Sequence, residues 1–324
     1  MSIQNKNKDD RNFENEVRTG LAGFPKRLSS KFIYDKKGDR LFQQIMEMPT
    51  YYLYNCEYEI LERHSKQLSK LFCNEDETVS LIDLGAGDGK KTKILLRYMV
   101  QNNFDIVYKP VDISQTILEE LKDSLKKELP TLQVEPEKGE YFQVLNKLKT
   151  YNKTKKVILV LGSNIGNLLH PKAIEFMSSL KDALNPDDLL FMGFDQKKNP
   201  QTILDAYNDS EGITAAFNKN ILYRINNEFD ADFEPEKFIH WEVYNPETGT
   251  AKSYLVATED MDVKIRNLAM DVHFEKWETI HVEISQKYTD AVVSWLADES
   301  GLRIINSFTD SREYYRNYIF IPKY

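Results

Sequence analysis

Short apolar runs alternate with amphipathic helical stretches through the middle of the chain. The apolar runs predict strands, and 157–161 and 189–194 are apolar throughout, as expected of strands buried on both faces of a sheet. The predicted strands are 79–84, 106–111, 157–161 and 189–194. The helices predicted among them cover about 91–101 and 114–129. Strands that alternate with helices in this way predict an α/β fold with a doubly wound, mostly parallel sheet.

The pattern changes after residue 199. A helix predicted over 214–229 is followed by runs in which polar and apolar residues alternate, as in an antiparallel sheet with one wet face. These alternating runs are 240–245, 252–257 and 280–285. A helix near 290–299 and strands at 302–307 and 317–322 then complete the chain.

This order of elements predicts that one domain is interrupted by another. Residues 199–285 would form the inserted α+β domain, and the N-terminal segment 1–60 would join it. Residues 61–198 and 286–324 would form the doubly wound domain. The stretch 1–17 is polar and mixed in charge, so we expect a flexible lead-in rather than a secretory signal.

The composition argues against several classes of protein. The net charge is -8 with acids and bases mixed along the chain, which disfavours a nucleic-acid partner. No window approaches the run of about 18 apolar residues that a membrane helix needs. Cys56 and Cys73 give neither a disulfide framework nor the spacing of metal ligands. We expect a cytoplasmic monomer that binds a small molecule and uses no metal.

A glycine-rich turn follows the first predicted strand. Gly85, Gly87 and Gly89 come directly after Leu84. Glycine permits a positive φ and lets a ligand press against bare backbone, and doubly wound sheets bind ligands at the carboxyl ends of their strands. The spacing Gly-x-Gly-x-Gly differs from the dinucleotide pattern Gly-x-Gly-x-x-Gly, so it favours S-adenosylmethionine over a nicotinamide dinucleotide.

An acid at the end of the second predicted strand is the next candidate. The Asp112 carboxylate can accept both ribose hydroxyls of an adenosine. Asp112 could alternatively cap the following helix, for which Ser114 is also a candidate N-cap. The order of strand, glycine turn, helix, strand and acid favours ribose binding.

Six longer segments can be read together as one pattern. They are YDKKGDRLFQQIMEMPTYYLYNCEYEIL (from Tyr34), LIDLGAGDGKKTKILL (from Leu81), LGSNIGNLLHPKA (from Leu161), AYNDSEGITAAFNKNIL (from Ala206), ADFEPEKF (from Ala231) and HVEISQKY (from His281). In this order they resemble the histidine-specific, S-adenosylmethionine-dependent methyltransferase family, whose best-known member makes trimethylhistidine for ergothioneine biosynthesis. The resemblance implies a class I (Rossmann-like) methyltransferase domain and a family-specific substrate domain.

The resemblance also implies which residues bind the cofactor. The glycine turn and the lysine after it fall where the family contacts S-adenosylmethionine, and the acid after the second strand falls on the ribose-binding position. An acid and an aromatic residue would flank the adenine, although this pair is not identical to the family's usual one. The implied cofactor-binding residues are Tyr34, Gly85, Gly87, Lys91, Asp112, Glu140 and Tyr141.

The resemblance further implies a pocket for an amino-acid substrate. Asn167 and Tyr207 match residues that hold the carboxylate, and Tyr51 matches one that lines the pocket near the amine and the imidazole. These side chains would carry catalysis by positioning the substrate. Glu283 and Ser285 match the pair that hydrogen-bonds the imidazole of histidine.

Two positions of the implied pocket depart from the family pattern. Asn164 replaces a more usual Thr, and Ser253 stands where a larger apolar residue is expected. The strand pattern itself places Glu283 and Ser285 on one side of the sheet, since residues two apart on a strand face the same way. A polar stripe facing solvent would give the same pattern.

Methyl transfer to the α-amine of L-histidine, in successive steps to trimethylhistidine, is therefore the expected function. In-line displacement at a sulfonium methyl group needs positioning rather than a metal or a covalent intermediate. One alternative is a methyltransferase for another amino acid or amine. Others are a non-catalytic module that binds the cofactor, and an NAD-dependent dehydrogenase, for which the glycine spacing is unsuitable.

Overall fold

The computed structural model of the protein describes residues 8–73, 77–151 and 154–323. The helices are α1 (Lys8–Ala22), α2 (Lys36–Glu47), α3 (Tyr52–Phe72), α4 (Thr92–Gln101), α5 (Gln115–Glu128), α6 (Tyr141–Leu148), α7 (His170–Asp182), α8 (Pro200–Tyr207), α9 (Ile213–Phe229) and α10 (Asp290–Glu299). The strands are β1 (Lys26–Arg27), β2 (Val79–Leu84), β3 (Ile106–Asp112), β4 (Gln133–Val134), β5 (Glu137–Lys138), β6 (Lys155–Val160), β7 (Leu189–Asp195), β8 (Phe238–Asn245), β9 (Thr250–Ala257), β10 (Met261–Ile265), β11 (Met270–Phe274), β12 (Thr279–Gln286), β13 (Leu302–Thr309) and β14 (Tyr315–Pro322).

The chain divides into two compact units. As far as their residues are described, unit 1 holds Met1–Tyr52 and Lys198–Ser285, and unit 2 holds Leu53–Lys197 and Gln286–Tyr324. The sequence placed the first domain boundary after residue 60, whereas the chain changes unit after Tyr52. A boundary after residue 60 would divide α3, which continues through that residue without a break; the observed boundary lies at the start of this helix instead.

Unit 2 contains a sheet of eight strands among its described residues. The order is β13-β14-β7-β6-β2-β3-β4, and β5 also pairs with β3. The strands from β7 to β5 pair in parallel, whereas β14 is antiparallel to both β7 and β13. All residues of β7 are buried, as its apolar run predicts. The predicted α/β fold with a doubly wound, mostly parallel sheet is confirmed.

The strand order places three strand ends at one edge of this sheet. From β2 the sheet continues to β3 on one side and to β6 on the other, and both pairings are parallel. The carboxyl ends of these strands, at Leu84, Asp112 and Val160, therefore lie at the same edge. Doubly wound sheets bind their ligands at such a point.

Unit 1 combines helices with an antiparallel sheet. Its described strands form a sheet in the order β1-β12-β9-β8 and a hairpin of β10 with β11. Buried and partly exposed residues alternate along most of β9, as the polar alternation of its sequence predicts. Phe217, Ile221 and Ile225 of α9 share one hydrophobic core with Leu255 of β9 and Val282 of β12.

The N-terminal stretch is helical where the sequence predicts a flexible lead-in. Phe13 and Val17 of α1 are fully buried, and the Phe13 ring centroid lies 4.5 Å from that of Phe32. The prediction is wrong for residues 8–17, because apolar residues four apart form one face of a helix that packs into the core. Residues 1–7 lie outside the described part of the chain. The other predicted helices and strands are confirmed, with ends shifted by two residues or fewer.

A buried ion pair links β6 to the turn before β7. The Lys156 ammonium lies 3.1 Å from the Asp188 carboxylate, and both side chains are almost fully buried. The backbone N–H groups of Lys156 and Asn185 each donate to this carboxylate at 2.6 Å. The pair therefore fixes the amino-terminal ends of two neighbouring strands.

We expect Asp188→Asn to lower the free energy of unfolding by about 3 kcal/mol, because it leaves the Lys156 ammonium buried without a counter-charge. Urea denaturation followed by circular dichroism measures this change. Glu175→Gln is the control: it breaks an exposed pair with Lys172 at 2.6 Å and should change stability by about 0.5 kcal/mol or less. Equally small changes in both variants would contradict the expectation.

Candidate active site

The glycine turn after β2 leaves backbone bare at the edge of the sheet in unit 2. Gly85 has a φ of +76° and Gly87 a φ of +54°, which other residues rarely adopt. A Cβ on Gly85 would lie 2.3 Å from the Tyr141 hydroxyl, whereas a Cβ on Gly87 would meet nothing within 4 Å. The turn is therefore closed on one side by Tyr141 and open at Gly87, where a ligand can approach the backbone.

The carboxylate of Asp112 lies at the end of β3, beside this turn. It accepts hydrogen bonds from the backbone N–H of Gly87 at 3.2 Å and from that of Ser114 at 3.0 Å. The side-chain cap of α5 is the Ser114 hydroxyl, which accepts from the Ile117 N–H at 3.3 Å. The Gly87 and Ser114 N–H groups each donate to a different Asp112 oxygen. Each oxygen can therefore accept a hydrogen bond from one further donor.

Tyr141 and Glu140 begin α6 but have different surroundings. The Tyr141 phenol is held close to Gly85, and burial raises its pKa, with the Asp112 and Asp83 carboxylates raising it further. The phenol therefore stays protonated and can donate a hydrogen bond. Glu140 occupies the N-cap position of α6 and has an exposed side chain.

The turn after β6 carries Asn164 and Asn167. Both belong to a short 3-10 helix, Asn164–Asn167, which the Tyr288 hydroxyl holds by donating to the Ile165 carbonyl at 3.1 Å. The Asn164 amide donates to the Leu161 carbonyl at 3.1 Å and lies 3.5 Å from where a Cβ on Gly85 would be. Asn164 therefore lies beside the glycine turn, and the Asn167 side chain is exposed.

The groups at this edge of unit 2 suit the parts of S-adenosylmethionine. The bare backbone at Gly87 leaves room for a ligand, and the free capacity of the Asp112 carboxylate matches the two hydroxyls of a ribose. The Lys91 ammonium, 2.5 Å from the Glu57 carboxylate, has further hydrogens for the carboxylate of an amino-acid end. Tyr141 supplies an aromatic ring for an adenine.

Unit 1 brings together the tyrosines that the sequence selected. The ring centroids of Tyr51 and Tyr207 are 6.1 Å apart, edge to face. Phe42 links Tyr51 to Tyr34, with ring centroids 6.3 Å and 5.5 Å away. The Phe217 ring centroid lies 5.3 Å from that of Tyr34. Sequence reasoning missed both phenylalanines, although each lies within a segment of the family pattern.

Polar groups of the same unit accompany these rings. The buried hydroxyls of Tyr207 and Ser285 share a hydrogen bond of 2.7 Å. Burial raises the pKa of the Tyr34 phenol, and the nearby Glu283 carboxylate and Tyr51 phenol raise it further. Glu283 therefore lies within electrostatic reach of Tyr34. These residues combine an acceptor, hydroxyls and aromatic faces.

Tyr34 is separated from the other cofactor candidates by unit. Its neighbours Tyr51, Phe42 and Phe217 all belong to unit 1, whereas Lys91 and Asp112 belong to unit 2. Its assignment to the cofactor stays a prediction.

Ser253 has a specific polar partner. Its hydroxyl is almost fully buried and donates to the Glu242 carboxylate at 2.6 Å, across the paired strands β9 and β8. A larger apolar side chain at this position could not make that bond. At this departure from the family pattern, the Ser253 hydroxyl therefore holds a second carboxylate, that of Glu242, in place in unit 1.

Within the described ranges, we find no cluster of three or more His, Cys, Asp or Glu side chains suited to a metal ion. The same part of the chain contains no helix that is both long enough and apolar enough to span a membrane.

We expect Gly85→Ala to weaken S-adenosylmethionine binding by about tenfold or more, because the new methyl group would press on the Tyr141 hydroxyl and displace the turn. Isothermal titration calorimetry measures the Kd. Gly212→Ala is the matched control: Gly212 has a similar φ of +75°, lies in unit 1 and would meet nothing within 4 Å. It should cost comparable backbone strain and leave the Kd unchanged; a similar loss of affinity in both variants would refute the role of the turn.

Comparisons with known proteins agree with this geometry. The sequence model of the histidine-specific, S-adenosylmethionine-dependent methyltransferases matches residues 13–322. The histidine N-alpha-methyltransferase of Mycolicibacterium smegmatis is 33% identical over 91% of this chain and 90% of its own, and that of Mycobacterium tuberculosis is 30% identical over 91% and 90%. An L-tryptophan methyltransferase of Psilocybe serbica is 26% identical over 89% of this chain and 86% of its own. The chain belongs to the histidine-specific, S-adenosylmethionine-dependent methyltransferase family.

Proposed function

We propose that the protein methylates the α-amine of L-histidine in successive steps that end at trimethylhistidine. The observation that carries this proposal is in unit 1, where Ser285 shares a hydrogen bond of 2.7 Å with Tyr207 and lies two residues from Glu283 on β12, so that both side chains face the same side of the strand. Membership of a histidine-specific family and two relatives named as histidine N-alpha-methyltransferases support it.

The reaction requires positioning more than chemical assistance from the protein. When bound, S-adenosylmethionine would supply a methyl group on a positively charged sulfur: the lone pair of the deprotonated α-amine forms the N–C bond as the S–C bond breaks, and S-adenosylhomocysteine leaves. The N–H proton that must be lost before each further methylation goes to solvent. Holding the reacting groups in line can contribute roughly 7–11 kcal/mol towards lowering the barrier. The residues of this chain therefore act by binding, orienting and excluding water.

On the cofactor side, unit 2 supplies the proposed contacts. The Asp112 carboxylate accepts the ribose hydroxyls while it keeps its bonds to the Gly87 and Ser114 N–H groups. The Lys91 ammonium donates to the carboxylate of the methionine end, and Tyr141 and Glu140 flank the adenine. Gly85 and Gly87 provide backbone that a ligand can approach.

On the substrate side, Tyr207 of unit 1 donates to the carboxylate of histidine. The same role for Asn167, which belongs to unit 2, rests on the family resemblance alone. When the Ser285 hydroxyl donates to the Tyr207 oxygen, the Tyr207 hydrogen is free for this role. Glu283 accepts the imidazole N–H, and Ser285 is a second, adjustable partner. Tyr51 lines the pocket through its contact with Tyr207.

A second candidate substrate is another amino acid with a different side chain. The observation that favours it is the Ser253–Glu242 hydrogen bond, which replaces an expected apolar wall by a small hydroxyl and an acid. The relative named as an L-tryptophan methyltransferase supports this second candidate.

We further propose that the protein works as a monomer in the cytoplasm. The contacts proposed for cofactor and substrate need only one copy of the chain, and Cys56 and Cys73 are both free thiols, as is usual for cytosolic proteins. The net charge of -8 is consistent with a small-molecule substrate rather than a nucleic acid.

Mass spectrometry of L-histidine incubated with the purified protein and S-adenosylmethionine tests the proposal. The expected products are mono-, di- and trimethylated histidine, with the last accumulating. Methylation of a different amino acid, with histidine unchanged, would replace the leading proposal by the second candidate.

We expect Glu283→Ala to lower kcat/KM for histidine by roughly 10- to 100-fold, the size of a lost hydrogen bond to a charged group. The Kd for S-adenosylmethionine should stay unchanged, because Glu283 is not among the residues assigned to the cofactor. Steady-state kinetics and calorimetry give the two values. Asp262→Ala is the control, since it removes an exposed carboxylate of the same unit that pairs with His273 at 2.8 Å. Wild-type histidine kinetics in Glu283→Ala would refute the assignment.

A further inference from the structure

Glu57 of α3 is a buried carboxylate at the centre of a hydrogen-bond network in unit 2. Its side chain is fully buried. Among the described residues, one oxygen accepts from the Lys91 ammonium at 2.5 Å and the Gly162 N–H at 2.7 Å. The other accepts from the Tyr315 hydroxyl at 3.1 Å and the Asn317 amide at 2.9 Å. The four donors satisfy the carboxylate, which removes the large cost of burying an unpaired charge.

The neighbouring strand leaves space for this carboxylate. Gly193 lies within β7, and a Cβ there would be 2.3 Å from one Glu57 oxygen and 2.3 Å from the Tyr315 hydroxyl. Any larger residue at 193 would displace both groups. The space occupied by Glu57 therefore depends on the absence of a side chain at position 193, in a strand that is buried along its whole length.

The donors on the first oxygen come from both turns at the ligand-binding edge of the sheet. Lys91 follows the glycine turn after β2, and Gly162 begins the turn after β6. A Cβ on Gly162 would lie 3.5 Å from the Lys91 ammonium nitrogen. One Glu57 oxygen therefore holds the two turns in a fixed relation to each other.

A free lysine side chain would be a poor binding group at this edge. Ordering its flexible side chain costs up to about 2 kcal/mol in lost rotamer freedom. The ion pair with Glu57 orders the Lys91 side chain before any ligand binds, and this side chain is only 18% exposed. The ammonium has three hydrogens, so the bond to Glu57 leaves two for a ligand.

We propose that Glu57 is a positioning residue for the cofactor: it fixes the Lys91 ammonium and the Gly162 turn so that Lys91 meets the carboxylate of the amino-acid end of S-adenosylmethionine. The inference rests on the proposed assignment of Lys91 to the cofactor. It adds that Glu57, which touches no ligand, determines the affinity for that end of the cofactor through Lys91.

Glu57→Gln removes the charge with little change in shape. The new amide can keep its carbonyl towards Lys91 and Gly162 and turn its NH2 group towards Asn317. The Asn317 NH2 group faces Glu57 in the wild type, but its side-chain oxygen is buried and has no hydrogen-bond partner among the described residues, so a flip of the Asn317 amide would present that oxygen to the new NH2 group. We therefore expect the variant to fold.

The test is a double-mutant cycle of Glu57→Gln and Lys91→Met, with S-adenosylhomocysteine as the titrated ligand in calorimetry. Lys91→Met should weaken binding by about tenfold, as expected for a lost hydrogen bond to a charged group. Glu57→Gln should also weaken it by about tenfold, because a neutral amide carbonyl holds the Lys91 ammonium less firmly than a carboxylate does. The double variant should bind within about twofold of Lys91→Met alone, since Glu57 acts through Lys91. Independent, multiplying losses, or no loss in Glu57→Gln, would overturn the proposal.

Two further measurements separate positioning from general stability. In kinetics, Glu57→Gln should raise the KM for S-adenosylmethionine and leave the KM for histidine unchanged. Asp188→Asn, which breaks a comparably buried ion pair in the same unit, should lower the melting temperature and leave ligand affinity within about twofold of wild type. If Glu57→Gln lowers the melting temperature severely, it can be combined with Lys91→Met. The second substitution should then restore part of the loss, because both charges are removed. A melting temperature that is not restored would contradict the coupling of Glu57 to Lys91.

The outcomes also distinguish this inference from the proposed function. Tight S-adenosylhomocysteine binding by the wild type, with an unaltered Kd in Glu57→Gln, refutes the inference alone. Absence of histidine methylation with the expected binding cycle intact refutes the substrate alone. An unaltered Kd in Lys91→Met refutes the cofactor role of Lys91 and this inference with it.

Discussion

Parallel pairing of β2 with β3 and β6 determines where the candidate cofactor groups of unit 2 lie. Because these strands run in one direction, the glycine turn, Asp112 and the turn at Gly162 all emerge at the same edge of the sheet. All residues of β2 are buried, and a slip in register would separate the buried Asp83 carboxylate from the Tyr108 hydroxyl of β3, which donates to it at 2.8 Å. The position of the Asp112 carboxylate beside Gly87 therefore follows from strand register. The glycine turn contributes backbone that carries no side chains.

Charges near this edge are held by partners that the fold supplies. Asp83, at the end of β2, is buried and accepts hydrogen bonds from the Thr92 hydroxyl at 2.6 Å and the Tyr108 hydroxyl at 2.8 Å. Burial raises the pKa of its carboxyl group, and these hydrogen bonds counteract that effect. Glu57 and Lys91 form the second such group. Asp83 thus ties the end of β2 to Thr92, the first residue of α4, and Lys91, the residue before that helix, pairs with Glu57 of α3. Between these anchors Gly87 is open to a ligand.

Local pattern was sufficient for most of the fold and for the first half of the site. The strands, the glycine turn and Asp112 follow from periodicity and spacing within about 35 residues. Glu57 could not be found in this way, since an acid within a charged helical stretch usually faces solvent, and only the complete sheet shows that it is buried. The Tyr207–Ser285 bond joins residues 78 positions apart, and α1 was missed because its polar composition masks the buried face of Phe13 and Val17. Such features depend on tertiary packing, which short-range pattern does not report.

In the function we propose, substrate selectivity depends on unit 1, where Glu283, Ser285 and Tyr207 offer polar groups among aromatic rings and Ser253 holds Glu242. A pocket built around a hydrogen-bonded group discriminates strongly against analogues that lack it. The most direct test of the account is therefore the kcat/KM of the wild-type protein for L-histidine relative to L-tryptophan and L-phenylalanine, at saturating S-adenosylmethionine. The account predicts that histidine is preferred by about 100-fold or more. An equal or higher value for either of the other amino acids would contradict it.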